Sequence, residues 1–206
     1  MVIRGFYFIT AAHLSKSGNV EDVKSALKSG VTIVQYRAQG LSTKEMVAEG
    51  VRLRALCKKA LFIVNDRVDI ALAVEADGVH LGQSDMSLPL ARRLLGRRRI
   101  IGVTVHTLAE AYGARKQGAD YIGVSPIFAT ATKKDAGSSV GVELITKIKK
   151  AVPLPIVAIG GITLGNAPEV IQAGADALCA ISAVVTKRDV KKEIKKFQQL
   201  FRKKHA

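Results

Sequence analysis

The sequence predicts an α/β fold, a single-domain (β/α)8 barrel of the TIM type that spans residues 1–206. Eight short segments rich in apolar residues alternate with segments of helical period, which is typical of an all-parallel sheet buried on both faces. Eight strand–helix units of about 25 residues each match a compact barrel. Residues 74–82, 117–125 and 173–182 also repeat one pattern, in which a helix ends, the chain turns at Ala-Asp and a strand begins.

The strands and helices are predicted along the whole chain. The strands lie, in chain order, at 5–10, 30–37, 60–66, 74–82, 99–105, 117–125, 154–161 and 173–182. Apolar residues at helical spacing predict helices at 20–29, 43–60, 67–76, 88–95, 107–117, 142–151, 167–174 and 190–201. An open doubly wound sheet is the structural alternative, but it usually has fewer strands and a glycine-rich fingerprint after its first strand. In this chain AAHLSKSGN follows the first strand.

The composition is that of an ordinary globular protein. Of 206 residues, 48% are apolar and 24% are charged. The two cysteines, Cys57 and Cys179, lack the number and spacing of a disulfide framework or a zinc site, so we expect buried reduced thiols. No signal-peptide pattern and no membrane-spanning apolar run is found, so we expect a cytoplasmic protein without a membrane partner. The sequence leaves a homo-oligomer open.

The net charge of +15 requires an interpretation, because such a field attracts polyanions and speeds the capture of small anionic ligands. Much of the excess lies at residues 92–99 and 187–206. Aromatic side chains do not interleave with these charges as a single-strand platform requires. We therefore interpret them as a solvated basic surface and do not expect nucleic acid as a partner. A nucleic-acid-binding protein is the alternative from another class, and it would show binding that weakens steeply with salt.

Polar residues follow the predicted strands at the end where barrels carry their chemistry. Asp66 and Asp85 follow neighbouring strands, so their carboxylates are expected to approach each other. Oxygen ligands of this kind suit Mg²⁺, which binds one or two carboxylates together with waters and substrate phosphates. The same residues could instead cap the helices that begin at Arg67 and near Leu88, and the two interpretations are compatible.

A loop rich in hydroxyls and positive charge follows the sixth strand. Its sequence is SPIFATATKKDAG, residues 125–137. Thr130, Thr132, Lys133 and Lys134 could bind phosphate oxygens, as Arg37 could from the second strand. A glycine pair at 160–161 and the Ile181-Ser182 turn follow the last two strands, where barrels commonly hold a phosphate. We interpret the loop as a clamp over phosphorylated small-molecule substrates; the alternative is a long solvated surface loop.

The histidines and hydroxyls do not form a pattern of nucleophilic catalysis. His80 lies in an apolar strand, which favours a hydrogen-bonded structural role. His106 precedes a helix, where an acid–base role and a helix-start role are both open.

The motifs VQYR, FIVNDRVDIAL, ADGVHLGQSD, IIGVTVHTLAEA, ADYIGVSPIFATATKKDA, PIVAIGGI and ADALCAISAV together resemble the thiamine phosphate synthase family, whose members are TIM-barrel transferases. The resemblance covers nearly the whole chain in the family's order. It implies transfer of 4-amino-2-methyl-5-pyrimidinylmethyl from its diphosphate to the ring nitrogen of thiazole phosphate. The products would be thiamine phosphate and pyrophosphate. It also implies a dissociative substitution, which needs charge stabilisation and exclusion of water more than a strong base.

The resemblance also implies roles for single residues. Asp66 and Asp85 would bind Mg²⁺, and Gln35 would hold the pyrimidine. Thr104 would lie beside the departing diphosphate, which makes Thr104, Arg37 and Lys133 the candidate catalytic residues. The remaining contacts would be Arg37, Gln39, Asn65 and Lys133 for the diphosphate and Thr130, Thr132, Gly161, Ile181 and Ser182 for the thiazole phosphate.

One position departs from the family's pattern. VQYRAQG places Gln39 where the family usually has a lysine that binds the diphosphate. An amide brings no charge, and a charge-assisted hydrogen bond is about twice as strong as a neutral one. Lys44 or Lys134 could compensate. A thiazole tautomerase, from a related branch of the family, is the functional alternative, but both aspartates and the intact TATKKDA loop favour the synthase.

Overall fold

The computed structural model of the chain describes residues 3–130, 132 and 137–203, and it shows a parallel barrel surrounded by helices. The strands are β1 (Gly5–Phe6), β2 (Phe8–Ile9), β3 (Ile33–Tyr36), β4 (Leu61–Asn65), β5 (Gly78–Leu81), β6 (Ile100–Val105), β7 (Tyr121–Val124), β8 (Ile156–Ile159) and β9 (Ala177–Cys179). Each lies within a predicted strand, and all strand pairs are parallel.

The first predicted strand closes the barrel. It is divided at Tyr7 into β1, which pairs with β9, and β2, which pairs with β3. The Tyr7 N–H donates to the Leu178 carbonyl at 2.9 Å, and the Thr10 N–H donates to the Gln35 carbonyl at 3.0 Å. One short segment therefore bonds to β9 on one side and to β3 on the other. The predicted eight-stranded barrel is confirmed, with its first strand counted in two parts.

The helices lie outside the sheet. They are α1 (Asn19–Lys28), α2 (Thr43–Leu56), α3 (Val68–Ala73), α4 (Leu88–Leu95), α5 (Leu108–Gln117), α6 (Gly141–Ala151), α7 (Ala167–Gln172), α8 (Ile181–Val185) and α9 (Val190–Lys203). Eight match predicted helices, whereas α8 is too short for a helical period to reveal. Among the residues that the structure describes, no helix is long and apolar enough to cross a membrane.

The apolar residues form two layers. A large cluster fills the space between the strands and the helices, and a small one lies inside the barrel. The inner cluster includes two aromatic side chains, Tyr7 and Tyr121, and the thiol of Cys179. Cys57 and Cys179 are both buried and unpaired, as expected. The strands are therefore buried on both faces, which explains their nearly continuous apolar sequences.

The three Ala-Asp turns perform the same structural task at the N-terminal ends of the strands. Asp77 accepts the Phe62 N–H at 2.8 Å, Asp120 accepts the Ile101 N–H at 2.7 Å, and Asp176 accepts the Ile156 N–H at 2.9 Å. Each of these aspartates also forms an ion pair with a cation of the helix that precedes the bonded strand, in the pairs Arg54–Asp77, Arg92–Asp120 and Lys149–Asp176. The Ala-Asp pattern that repeats in the sequence is thus a repeated joint. In each joint, the aspartate before one strand bonds to the neighbouring strand and to the helix that precedes that neighbouring strand.

Candidate active site

A cavity of about 500 Å³ opens at the carboxyl ends of the strands. The cavity is lined by every site residue predicted from the sequence that the structure describes. These residues are Gln35, Arg37, Gln39, Asn65, Asp66, Asp85, Thr104, Thr130, Thr132, Gly161, Ile181 and Ser182. Lys133 and Lys134 lie outside the described residues. Because parallel strands end at the same rim, side chains that are far apart in sequence meet in one cavity.

Arg37 lies just beyond the end of β3 and is positioned by Thr10. The Thr10 hydroxyl donates to the Arg37 carbonyl at 3.0 Å and accepts the Arg37 N–H at 2.8 Å. Thr10 is fully buried, so these two bonds are shielded from water. Among the described residues that line the cavity, Arg37 is the only arginine or lysine. Its guanidinium can form two hydrogen bonds to one phosphate.

The two aspartates line the same cavity from neighbouring strands, but neither is the N-cap of a helix. The N-cap residue is Arg67 for α3 and Ser87 for α4, so the predicted capping role of Asp66 and Asp85 is wrong. Asp66 has a left-handed backbone, with φ of 61°, and its N–H donates to the His80 carbonyl at 2.8 Å. Asp85 accepts the Gly82 N–H at 2.6 Å. One residue separates Asp66 from the start of α3, and two residues separate Asp85 from the start of α4, so both aspartates stay at the cavity rim.

A row of five hydrogen-bonded side chains crosses the floor of the cavity, and the sequence analysis missed two of the five. It consists of Gln35, Tyr7, Tyr121, His80 and Thr104. The structural role predicted for His80 is confirmed, since both of its ring nitrogens are hydrogen-bonded. Tyr7 and Tyr121 were not predicted as site residues. A phenol hydroxyl inside an otherwise apolar strand segment was the available signal.

His106 starts the segment that leads into α5. Its N–H donates to Glu110 Oε2, while Thr107 is the N-cap residue and accepts the Glu110 N–H. The ring lines the cavity, and its Nδ1 lies 2.5 Å from the Ser125 carbonyl oxygen. A carbonyl oxygen can only accept, so Nδ1 carries the proton of this bond. His106 thus directly precedes the N-cap residue of α5, and only its backbone N–H bonds to the helix; an acid–base role stays a prediction.

The glycine pair after β8 permits close contact with the loop after β7. A Cβ at Gly160 would lie 2.6 Å from Pro126 Cβ, and one at Gly161 would lie 2.5 Å from the Ala129 carbonyl oxygen. Both glycines have positive φ values, 103° and 64°. The Phe128 N–H donates to the Gly160 carbonyl at 3.0 Å. Glycine is therefore required by both space and backbone conformation, and the contact fixes the part of the loop that leads to Thr130.

Comparisons with known proteins give one answer over nearly the whole chain. A family model described as thiamine monophosphate synthase matches residues 6–184. A protein of Methanosarcina barkeri named thiamine-phosphate synthase is 53% identical over 199 residues, which are 96% of this chain and 90% of that protein. A protein of Methanosarcina mazei with the same name is 49% identical over 198 residues, 96% of this chain and 82% of that protein.

A solved structure agrees with this result. The thiamine phosphate pyrophosphorylase from Pyrococcus furiosus superposes with a TM-score of 0.89 at 42% identity and covers 97% of this chain and 96% of its own. The likeness thus extends from the sequence to the arrangement of the barrel.

Proposed function

The chain belongs to the thiamine monophosphate synthase family, and we propose that it joins 4-amino-2-methyl-5-pyrimidinylmethyl diphosphate to thiazole phosphate, with release of pyrophosphate. Its activity is that of a thiamine-phosphate synthase, a transferase that acts on small phosphorylated substrates. The observation that carries the detailed proposal is the single cavity that collects the side chains suited to both substrates. The cytoplasmic location and the oligomeric state stay predictions.

The diphosphate is proposed to lie between the ends of β3, β4 and β6. Arg37 supplies the positive charge, and Gln39 and Asn65 supply neutral hydrogen-bond donors. Thr104 adds a hydroxyl from the end of β6. Lys133 lies outside the described residues, and its contact with the diphosphate stays a prediction. These donors stabilise the negative charge that develops as the bond between the methylene carbon and the leaving oxygen breaks.

Asp66 and Asp85 are proposed to hold Mg²⁺. Both carboxylates line the cavity, Asp66 is exposed and Asp85 is partly exposed, so they can reach an ion and its waters. Two carboxylates leave coordination positions for waters and substrate phosphate oxygens, the arrangement that Mg²⁺ prefers. When bound, the ion neutralises charge on the diphosphate.

The thiazole phosphate is proposed to lie at the opposite rim. Thr130 and Thr132 line the cavity there together with Gly161, Ile181 and Ser182. In this position the ring nitrogen faces the methylene carbon of the pyrimidine. Its lone pair forms the new carbon–nitrogen bond after pyrophosphate has left with the electrons of the old one. Apolar side chains such as Ile9, Val157 and Ile159 also line the cavity and limit the access of water to the cation.

The first test measures thiamine phosphate formation from both substrates, with Mg²⁺ and with excess chelator. We expect product only with the metal, and we expect the Asp85→Ala variant to lose at least about 100-fold in kcat/KM, a loss comparable to that of one transition-state donor. Asp69→Ala is the matched control, because Asp69 is an exposed aspartate on α3 that does not line the cavity. Full activity in Asp85→Ala would rule out the metal assignment. If the folded wild type formed no product under either condition, the result would favour the thiazole tautomerase as the alternative function.

A further inference from the structure

The five hydrogen-bonded side chains on the cavity floor form one continuous row, in which a single direction of donation satisfies every contact. The contacts are 2.9 Å from Gln35 Nε2 to the Tyr7 hydroxyl, 2.8 Å from Tyr7 to Tyr121, 2.9 Å from Tyr121 to His80 Nδ1, and 2.9 Å from His80 Nε2 to Thr104 Oγ1. An amide nitrogen can only donate, so Tyr7 accepts from Gln35. Tyr7 then has its own proton to donate to Tyr121.

A buried phenol also uses its own proton in a hydrogen bond, and this condition directs the following contacts. Tyr121 then accepts from Tyr7 and donates to His80 Nδ1, which carries no proton in this arrangement. The neutral ring then carries its proton on Nε2 and donates it to Thr104 Oγ1. The proton of the Thr104 hydroxyl is not used within the row. Since Thr104 lines the cavity, this proton is available to an anion bound there.

Two glycines make room for this row. A Cβ at Gly102 would lie 2.1 Å from Tyr121 Cζ and 2.5 Å from its hydroxyl oxygen. A Cβ at Gly123 would lie 3.0 Å from His80 Cε1. Burial also raises the pKa of both Tyr7 and Tyr121, so each keeps its proton at neutral pH. The row is thus a fixed part of the barrel interior in which both phenols keep their protons.

The direction depends on one amide. If the Gln35 amide were turned over, its oxygen would accept from Tyr7 and every bond of the row would reverse. Thr104 would then donate to His80 and offer the cavity no proton. A ligand that requires the Gln35 oxygen on the cavity side therefore selects the state in which Thr104 donates to the cavity.

We propose that this row, named here the Gln35–Thr104 relay, couples recognition of the pyrimidine amino group to stabilisation of the leaving diphosphate. The amino group donates to the Gln35 oxygen, and Tyr7, Tyr121 and His80 are positioning residues that fix the Thr104 hydroxyl as a donor to the diphosphate. The inference rests on the proposed function. Negative charge on the leaving oxygen grows as the bond breaks, so the fixed donor lowers the barrier more than it strengthens substrate binding.

The test removes the central hydroxyl with Tyr121→Phe. We expect kcat to fall at least about tenfold with little change in KM for thiazole phosphate, since loss of a direct donor of this kind costs roughly 10²–10³ in kcat. Tyr36→Phe is the matched control. It removes the hydroxyl of an equally buried tyrosine, which donates to Glu49 at 2.8 Å, and Tyr36 does not line the cavity. Equal kcat values for the two variants would overturn the proposal.

A double-variant comparison separates the relay from independent contacts of each ring with the pyrimidine. In a Thr104→Val background the donor is already lost, so Tyr121→Phe should lower kcat no further. Thr104→Ser, which keeps the hydroxyl, should keep most of kcat. Additive losses in the double variant would contradict the coupling. If Tyr121→Phe does not fold, Tyr7→Phe interrupts the relay one contact earlier and gives the same comparison.

The ¹⁵N NMR signals of His80 provide a readout that needs no turnover. We expect the Nε2–H tautomer in the wild type and a loss of this preference in Tyr121→Phe. An Nδ1–H tautomer with the pyrimidine substrate bound would overturn the direction of the relay. If the wild type formed no thiamine phosphate, the proposed function would fail, whereas the tautomer would still decide whether the directional row exists.

Discussion

Residue 39 shows how one side chain can alter the electrostatics of the site. Gln39 is exposed and lines the cavity, at a position where the family's pattern has a lysine. Of the described residues around the cavity, only Arg37 is an arginine or lysine, and the buried hydroxyl of Thr10 fixes its backbone. The affinity for the diphosphate is therefore expected to depend strongly on Arg37 and on any contribution from Lys133.

We predict that Gln39→Lys lowers KM for the pyrimidine diphosphate about fivefold at low salt. A hydrogen bond to a charged group exceeds a neutral one by about 1 kcal/mol, which corresponds to this factor. Gln172→Lys adds the same charge on α7, away from the cavity, and should leave KM unchanged. Steady-state kinetics of both variants would measure KM for the pyrimidine diphosphate and test this prediction. An equal change in both would show that only the net charge counts.

The elements are joined by the repeated aspartates at the N-terminal ends of the strands. Asp120 binds the Ile101 N–H of β6 and the Arg92 guanidinium of α4, at 2.7 and 2.6 Å. These contacts lie at the end of the barrel opposite the cavity, where conserved features of this fold serve stability rather than chemistry. A residue type at a repeated position in the sequence thus has one physical role in three places.

We predict that Asp120→Ala lowers the free energy of unfolding by about 1–3 kcal/mol, because the buried Ile101 N–H loses its acceptor. The kcat of the folded variant should stay that of the wild type. Urea denaturation followed by circular dichroism would measure the loss. Asp69→Ala, which breaks an exposed ion pair with Arg67, should cost at most about 1 kcal/mol. A loss no greater than that of this control would contradict the role of the joint.

The whole molecule carries a net charge of +15, and its substrates are anions. Part of the excess, such as exposed Arg97 and Arg98, directly precedes β6 and so lies at the end opposite the cavity. Such charges can act on a substrate only through the long-range field, which salt screens.

We therefore predict that kcat/KM for the diphosphate substrate falls several-fold as ionic strength rises from about 0.05 to about 0.5 M, while kcat stays constant. Sucrose at matched osmolality is the control, since it does not screen charge. A salt-independent kcat/KM would show that the field does not assist capture.

The sequence by itself determined the number, type and order of the strands and helices, apart from α8. It also determined that the polar residues that follow the strands gather at one cavity, because hydrophobic period is a local property and parallel strands end at one rim. Tertiary structure alone decided contacts between distant residues, such as the hydroxyl pair of Tyr7 and Tyr121, 114 positions apart. It also decided that Asp66 and Asp85 do not cap helices, and that Thr10 holds Arg37. Hydrogen bonds of this kind depend on the closure and register of the barrel, which bring strands together at distances that no local pattern encodes.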